Sequence, residues 1–341
     1  VHNSTNHSGS TRKQLLLNFA ASCINEPITS ITPLLKEASD RCYYRLTWGT
    51  NSLIAMDAPP HKVNCQPFIE TTTILRKQGL IVPKIYHKNT DQGFLLLEDF
   101  GDNMLLTELK KASTHSIYSI AVADLVKLHT CDTSQYKQLP VMKSSTLNQE
   151  LDWFIARYVQ QYKQETLNSA QQRIWQDTKD ILTNNAANQE QVLLHKDFHS
   201  RNLMLLPSKK IGVLDFQDAV IGPITYDLAS LLHDCYIDWP QHLIEKYCNE
   251  FLLLSQQAGL MTNITLQQLL IWFDLTSLQR HLKNLGNFIR ISTEKKQPQF
   301  MQYLPHMCKI ITGICSRHEA LSDFDQYFRS LHCSHKEDSL K

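Results

Sequence analysis

No apolar run in this 341-residue chain approaches the roughly 20 residues that cross a bilayer, so the sequence offers no membrane-spanning helix. Charge of one sign is also missing. Lysine and arginine total 34 against 33 acidic residues, a formal net charge of +1, and no polybasic block stands out. That balance excludes the electrostatic footprint of a nucleic-acid binder and of a membrane-surface protein. The nine cysteines include no CxxC pair, and their odd number, scattered along a long chain, does not form a disulfide framework. Reduced thiols, and with them a cytoplasmic location, are the expectation. The stretch Arg12-Lys13, Leu15-Leu16-Leu17, Phe19 to Cys23 has a faint likeness to a lipoprotein signal, but Asn18 interrupts it and an amphipathic first helix is the better reading.

What is present is a soluble, globular composition, 42% hydrophobic and 20% charged, with enough length for two lobes. The first third reads as mixed α/β. Cys42–Leu46 and Ser52–Met56 form two strands around a turn at Gly49-Thr50-Asn51. A helix covers 66–78, and Val82–His87 with Gly93–Glu98 forms another hairpin. Glu98-Asp99-Phe100-Gly101-Asp102 breaks the pattern as a hinge. Beyond it the chain is mainly helical, with Ile117, Ile120, Ala121, Leu125 and Leu128, and then Leu275, Leu278, Leu282, Leu285 and Ile289, at helical spacing. Two short apolar strands interrupt the helices, Val192–Leu194 and Ile211–Leu214. The expected organisation is a tail at 1–10, an N-lobe at 11–98, a hinge at 99–103, a C-lobe at 104–330 and a tail at 331–341.

The richest segment is His195-Lys196-Asp197-Phe198-His199-Ser200-Arg201-Asn202, with Asp215 thirteen residues after Asn202. Phosphoryl transfer needs positioning and charge neutralisation more than covalent help. Asp197 suits the role of base toward an acceptor hydroxyl. Asn202 and Asp215 are hard oxygen donors of the kind magnesium takes. Arg201 or Lys196 adds positive charge near phosphate, and His199 stands two residues from the base, within reach of an acceptor. His195 suits bracing of the loop. Asp227 opens an apolar helix, most simply as a cap or first-turn carboxylate, with bracing of the loop as the other option.

These residues resemble the aminoglycoside phosphotransferase family, relatives of the protein kinases, over nearly the whole chain. Asp40 to Arg45 with Ala38-Ser39 before it, Met56-Asp57-Ala58-Pro59-Pro60, Leu214 to Ala219 with Gly222-Pro223, and Leu278 to Phe288 resemble in particular a branch of anomeric amino-sugar kinases of peptidoglycan recycling. The resemblance implies an α+β, two-lobed protein-kinase-like fold, with a small β-rich N-lobe, a larger helical C-lobe and ATP between them. It implies ATP and Mg2+ as cofactors, Asp197 as base, and Asn202 and Asp215 on the metal. It places Glu98 and Asp99 at the adenine, and makes the substrate an amino sugar, N-acetylmuramate or N-acetylglucosamine. The expected partner is that small molecule alone, with no nucleic acid, no membrane, and a monomeric chain. One departure matters. The strand Ile54-Ala55-Met56-Asp57 lacks the phosphate-binding lysine of typical kinases, and the loop before it, Glu37 to Asp40, lacks glycine, so Arg41 or Arg45 is expected on the phosphates. Glu70, on the next helix, then has no lysine partner. Arg280 lies opposite the Leu275–Leu282–Ile289 stripe and is expected to face solvent or substrate, with His281 beside it. An antibiotic or small-alcohol kinase, and a non-catalytic nucleotide-binding module, are the competing functions.

Overall fold

The computed structural model describes residues 5–34, 40–109 and 115–333. Ala38-Ser39, the start of the expected nucleotide loop, falls outside them, as do 1–4 and 334–341 of the expected tails. The chain forms two compact units. One comprises residues 1–103 with Met204–Asp218, and the other Met104–Leu203 with the chain from Ala219 onward.

The first unit is built on a five-stranded antiparallel sheet of β1 (Ser30–Pro33), β2 (Cys42–Trp48), β3 (Asn51–Asp57), β4 (Ile85–Asn89) and β5 (Phe94–Glu98), in the order β1-β2-β3-β5-β4. β2 and β3 form the tight hairpin that the sequence signals. Leu46 faces Leu53 and Trp48 faces Asn51 across it, and Gly49 takes the left-handed turn position at φ +52°. Helix α1 (Thr5–Cys23) starts inside the segment expected as a tail. Its Leu16 and Ala20 bury against Leu46, Ala55, Phe94 and Leu96, so its apolar face completes the sheet's core. Helix α2 (Gln66–Lys77) buries Phe68, Ile74 and Leu75 and ends with two basic residues, which suit its C-terminal dipole.

Strand β8 (Ile211–Val213) pairs with β7 (Leu203–Leu205). Its Val213 amide donates to the Ile81 carbonyl at 2.8 Å, and the Leu205 amide donates to the Asn103 carbonyl at 2.8 Å. These bonds place Met204–Asp218 with the sheet unit although it lies 100 residues downstream. Gly212 is required there, because a Cβ would come within 2.6 Å of the Phe100 ring.

The second unit is helical: α3 (Leu105–Glu108), α4 (His115–His129), α5 (Ser144–Trp153), α6 (Ser169–Ala187), α7 (Tyr226–Leu232), α8 (Gln241–Gln257), α9 (Leu266–Glu294), α10 (Leu304–Cys315) and α11 (Ser322–Cys333). α5 runs directly into a π-helix at Phe154–Tyr162. The 29-residue α9 is the axis of this unit. Its expected stripe of Leu278, Leu282, Leu285 and Ile289 packs with Phe154, Tyr158, Met307 and Phe328. A small antiparallel ribbon joins β6 (Gln191–Leu194) to β9 (Val220–Pro223), with Leu194 opposite Val220.

Candidate active site

The His195–Asn202 loop leaves the end of β6 and is held almost entirely through its main chain. The carboxylate of Asp227, fully buried near the start of α7, accepts from the His195 amide at 2.5 Å and from the Lys196 amide at 2.9 Å. Thr225, not Asp227, occupies the N-cap, and its side chain does not cap the helix. Asp227 is thus the expected first-turn carboxylate of α7 rather than its cap, and it braces the loop as well. Burial pushes the Asp227 carboxyl up, with His195 and Arg280 opposing.

A second carboxylate repeats the device. Asp234 accepts from the Ser200 amide at 2.9 Å through one oxygen and from the Tyr236 amide at 2.9 Å through the other. Inside the loop, the His199 amide donates to the Asp197 carbonyl at 3.0 Å and the Asn202 amide to the His199 carbonyl at 2.9 Å. His195 is buried and its Nδ1 accepts from the Asp197 amide at 3.3 Å, a bracing geometry.

Lys196 sits at φ +81°, a left-handed conformation unusual for a residue with a side chain. It is held from both sides: its amide by Asp227, and its carbonyl by Arg280, whose Nη1 donates at 3.0 Å. Arg280 is only 6% exposed, and its guanidinium lies 4.4 Å from the centre of the Tyr226 ring. The expectation that it faces solvent is thus corrected. The middle of α9 is buried all round, including Thr276, Ser277, Gln279 and His281, so a helical projection with one apolar stripe misplaced the opposite face. His281 is 1% exposed, 3.8 Å from the Cys235 thiol and packed on His233. Burial depresses its pKa well below the usual range and keeps the ring neutral.

Asp197 is half-buried. Burial alone would raise its pKa, but Lys283 and Arg280, then His199 and His195, more than offset this and hold the carboxyl below its usual range. Lys283, on α9, escaped the sequence reading. Its ammonium lies 3.3 Å from the buried Glu150 carboxylate of α5 and 3.1 Å from the Tyr226 hydroxyl. Burial opposes its charge, yet Tyr226, Glu150 and Asp197 raise its pKa overall. His199 is half-buried with its Nδ1 unpartnered and packs edge-on to Tyr236 at 5.5 Å. Burial lowers its pKa against the pull of Asp234 and Asp197.

The Asn202 side chain donates through Nδ2 to the Asp197 carbonyl at 3.0 Å. That bond uses the amide nitrogen and not Oδ1, which is a hard oxygen donor. Asp215, in the sheet unit, is at φ +59°; one carboxylate oxygen accepts from Gln217 at 2.7 Å. The next residue, Phe216, packs its ring at a tilt against Phe68 of α2, centroids 4.8 Å apart, and anchors the segment. Among the described residues, no three His, Cys, Asp or Glu side chains gather as a metal cluster.

The remaining expected residues also lie in the sheet unit. Arg45 donates to both oxygens of Asp99, at 2.7 and 3.1 Å, to Asp102 at 2.8 Å and to the Gly101 carbonyl at 3.1 Å. Its guanidinium ties β2 to the Asp99–Asp102 segment, an engagement the sequence did not foresee. Burial raises the Asp99 carboxyl, but Arg45 and the Gly101 amide pull it below its usual range. Glu98 pairs its backbone with Leu53, and its side chain accepts from the Lys84 amide at 3.1 Å. Where the strand lysine is missing, Asp57 is buried and ion-paired with Arg12 of α1, which also stacks over Phe94 at 4.7 Å. Glu70 accepts from Gln66 at 2.9 Å along its own helix.

A β-rich lobe, a helical lobe and an Asp197/Asn202 loop following a short strand define a protein-kinase-like phosphotransferase. The chain belongs to the phosphotransferase enzyme family, whose model matches residues 30–260. It is 32% identical over 305 residues to an N-acetylmuramate/N-acetylglucosamine kinase of Pseudomonas putida, covering 89% of each chain. It is 30% identical to one of Neisseria meningitidis, covering 91% of this chain and 93% of the relative. Among solved structures, a spectinomycin phosphotransferase bound to ADP and spectinomycin shares the fold at TM-score 0.65 and 14% identity, covering 88% of this chain and 98% of that one. The choline kinase LicA from Streptococcus pneumoniae does so at 0.62 and 12%, covering 89% and 98%. Among the described residues, no helix is long and apolar enough to cross a membrane.

Proposed function

We propose that this kinase transfers the γ-phosphate of ATP to the anomeric hydroxyl of an amino sugar, N-acetylmuramate or N-acetylglucosamine, giving the 1-phosphate. The supporting observation is the Asp197 loop, together with relatives of that printed activity at 30% identity or more over about nine-tenths of the chain.

Asp197 orients the acceptor hydroxyl and takes its proton as the oxygen attacks phosphorus. Lys283 and Arg280 keep that carboxyl ionised. The bracing by Asp227, Asp234 and Arg280 fixes the base before substrate arrives, so little reorganisation is needed during transfer. Asn202 Oδ1 in the helical unit is a hard oxygen donor of the kind magnesium takes, and the Asp215 carboxylate in the sheet unit is another; magnesium takes one or two protein oxygens and fills its shell with water and phosphate. When bound, the ion neutralises charge on the phosphate oxygens.

The test is a coupled ATP-turnover assay on both sugars with the intact chain and Asp197→Asn. The expected result is 1-phosphate formation by the former and a loss of at least about 100-fold in the variant, with an unchanged circular dichroism spectrum. Tight ATP binding without turnover on any amino sugar would support a non-catalytic module instead.

A further inference from the structure

The carboxylate of Glu150 has no part in the transfer as described, yet it faces the cations that flank the base. Glu150 stands on α5, is 5% exposed, and engages through both oxygens. Oε1 lies 3.3 Å from the Lys283 ammonium and 4.0 Å from that of Lys196. Oε2 accepts from the Gln279 side-chain amide at 3.4 Å. Two lysines on different elements, one on α9 and one beside Asp197 in the loop, therefore converge on a single oxygen. A buried ion is costly to desolvate and needs close partners, so a carboxylate at this place answers the charge of those lysines.

Lys283 is tied at a second point. Its ammonium donates to the Tyr226 hydroxyl at 3.1 Å, and Tyr226 is fully buried, with the Arg280 guanidinium 4.4 Å from its ring centre. An ammonium is a point charge on a flexible four-carbon stem, and two fixed partners take away most of that freedom. The Asp197 carboxylate is in the opposite state. Among the described residues, no hydrogen bond or ion pair reaches its two oxygens; the bonds that the loop makes to Asp197 use its amide and its carbonyl. Burial aside, Lys283 is the group whose charge acts most strongly on that carboxylate. The dominant cation is thus within electrostatic range of the base but bound elsewhere, and the lone pairs of the base stay open to an acceptor hydroxyl.

We propose that Glu150, helped by Tyr226, is a positioning residue that keeps Lys283 off Asp197, so that the lysine lends its field to the base without occupying it. This rests on the reading of Asp197 as the base. A lysine released from Glu150 would make a direct charge-assisted bond to Asp197, roughly twice as strong as a neutral hydrogen bond, and the acceptor hydroxyl would have to displace it.

The experiment measures kcat and the KM values for ATP and N-acetylglucosamine with the full chain at about pH 8, where ordinary carboxylates are ionised. The set is the parent, Asp197→Asn, Glu150→Gln, Tyr226→Phe, Lys283→Met, and Glu150→Gln combined with either Lys283→Met or Lys196→Met, each assayed at a temperature where its melting curve shows it folded. Glu150→Gln is expected to lower kcat about 10- to 100-fold, with KM for ATP changed by less than about 2-fold. Adding Lys283→Met returns kcat to within about 3-fold of Lys283→Met alone, because the cation that quenched the base is gone. Tyr226→Phe gives a smaller loss in kcat, about 2- to 5-fold. A carboxylate with a merely structural role leaves the folded double variant as slow as Glu150→Gln, and that result overturns the proposal. So does a Glu150→Gln variant as fast as the parent, or recovery through Lys196→Met in place of Lys283→Met. Should Glu150→Gln fail to fold, Tyr226→Phe carries the test, and an unchanged kcat there overturns the proposal. No turnover by the parent, or full turnover by Asp197→Asn, refutes the underlying reading instead.

Discussion

At the scale of single residues, the site depends on cations that surround one carboxylate. Lys283 and Arg280 hold Asp197 below the ordinary carboxylate range against a burial effect that would raise it. With Asp197 as base, its ionised form is the active one, so activity falls as pH drops through its pKa. Lys283→Met removes a depressing charge, and the acid limb of kcat/KM against pH moves to higher pH, while Lys283→Arg leaves it near the parent position. An unmoved limb in the methionine variant would remove Lys283 from control of the base. Asp197, Asn202 and Asp215 stood out in the sequence as candidates because one short spacing carries them, and the Asn202 side chain does bind the Asp197 carbonyl. Lys283, Glu150 and Asp234 did not. The partners that tie them to the Asp197 loop and to one another, Ser200 for Asp234 and Glu150 for Lys283, lie 34 or more positions away along the chain, and no local pattern encodes such pairings.

At the scale of elements, the hairpins of the sheet and the apolar stripe of α9 followed from alternation and helical spacing. The short ribbon strand β9, which contains Gly222 and Pro223, carries no such signal, and neither does the π-helix. The back of α9 misled for a physical reason. The helix runs through the middle of its unit, and its polar side chains are buried against other elements, Thr276 on Asn185, Gln189 and Thr225, Gln279 on Glu150 and Arg280 on the Asp197 loop, not by being apolar. Its contact with the start of the π-helix is unusually close: a Cβ on Gly286 would stand 2.5 Å from the Trp153 carbonyl oxygen. Both sides of that clash are backbone, so neither can rotate away. Gly286→Ala is expected to cost about 1–3 kcal/mol despite the better helix propensity of alanine, measured by denaturant unfolding. A neutral or stabilising result would mean that the two helices can separate freely.

At the scale of the whole molecule, buried histidines make the fold acid-sensitive. Burial lowers the pKa of His129 to about 3, and that of His233 to about 4 with Asp274 opposing the shift. Above pH 6.5 neither ring is charged in either state, and the contribution to stability is nil. Between 6.5 and the lowered values the unfolded chain takes up protons that the folded chain refuses, so stability falls with pH. The loss is expected to reach roughly 3 kcal/mol per ring by pH 4, seen as a falling Tm. Neither ring nitrogen of His129 has a hydrogen-bond partner, and its ring meets Phe251 edge-on. His129→Phe should flatten the slope; an unchanged slope would show that the ring is hydrated in the native state.

The grip of Asp227 and Asp234 on the Asp197 loop has one more consequence, for how such an enzyme diverges. Both carboxylates hold amides, a group that every amino acid except proline offers. Side chains at Lys196 and Arg201 can therefore be exchanged over evolutionary time without disturbing those bonds. A lineage can retune which acceptor it modifies while inheriting the position of Asp197.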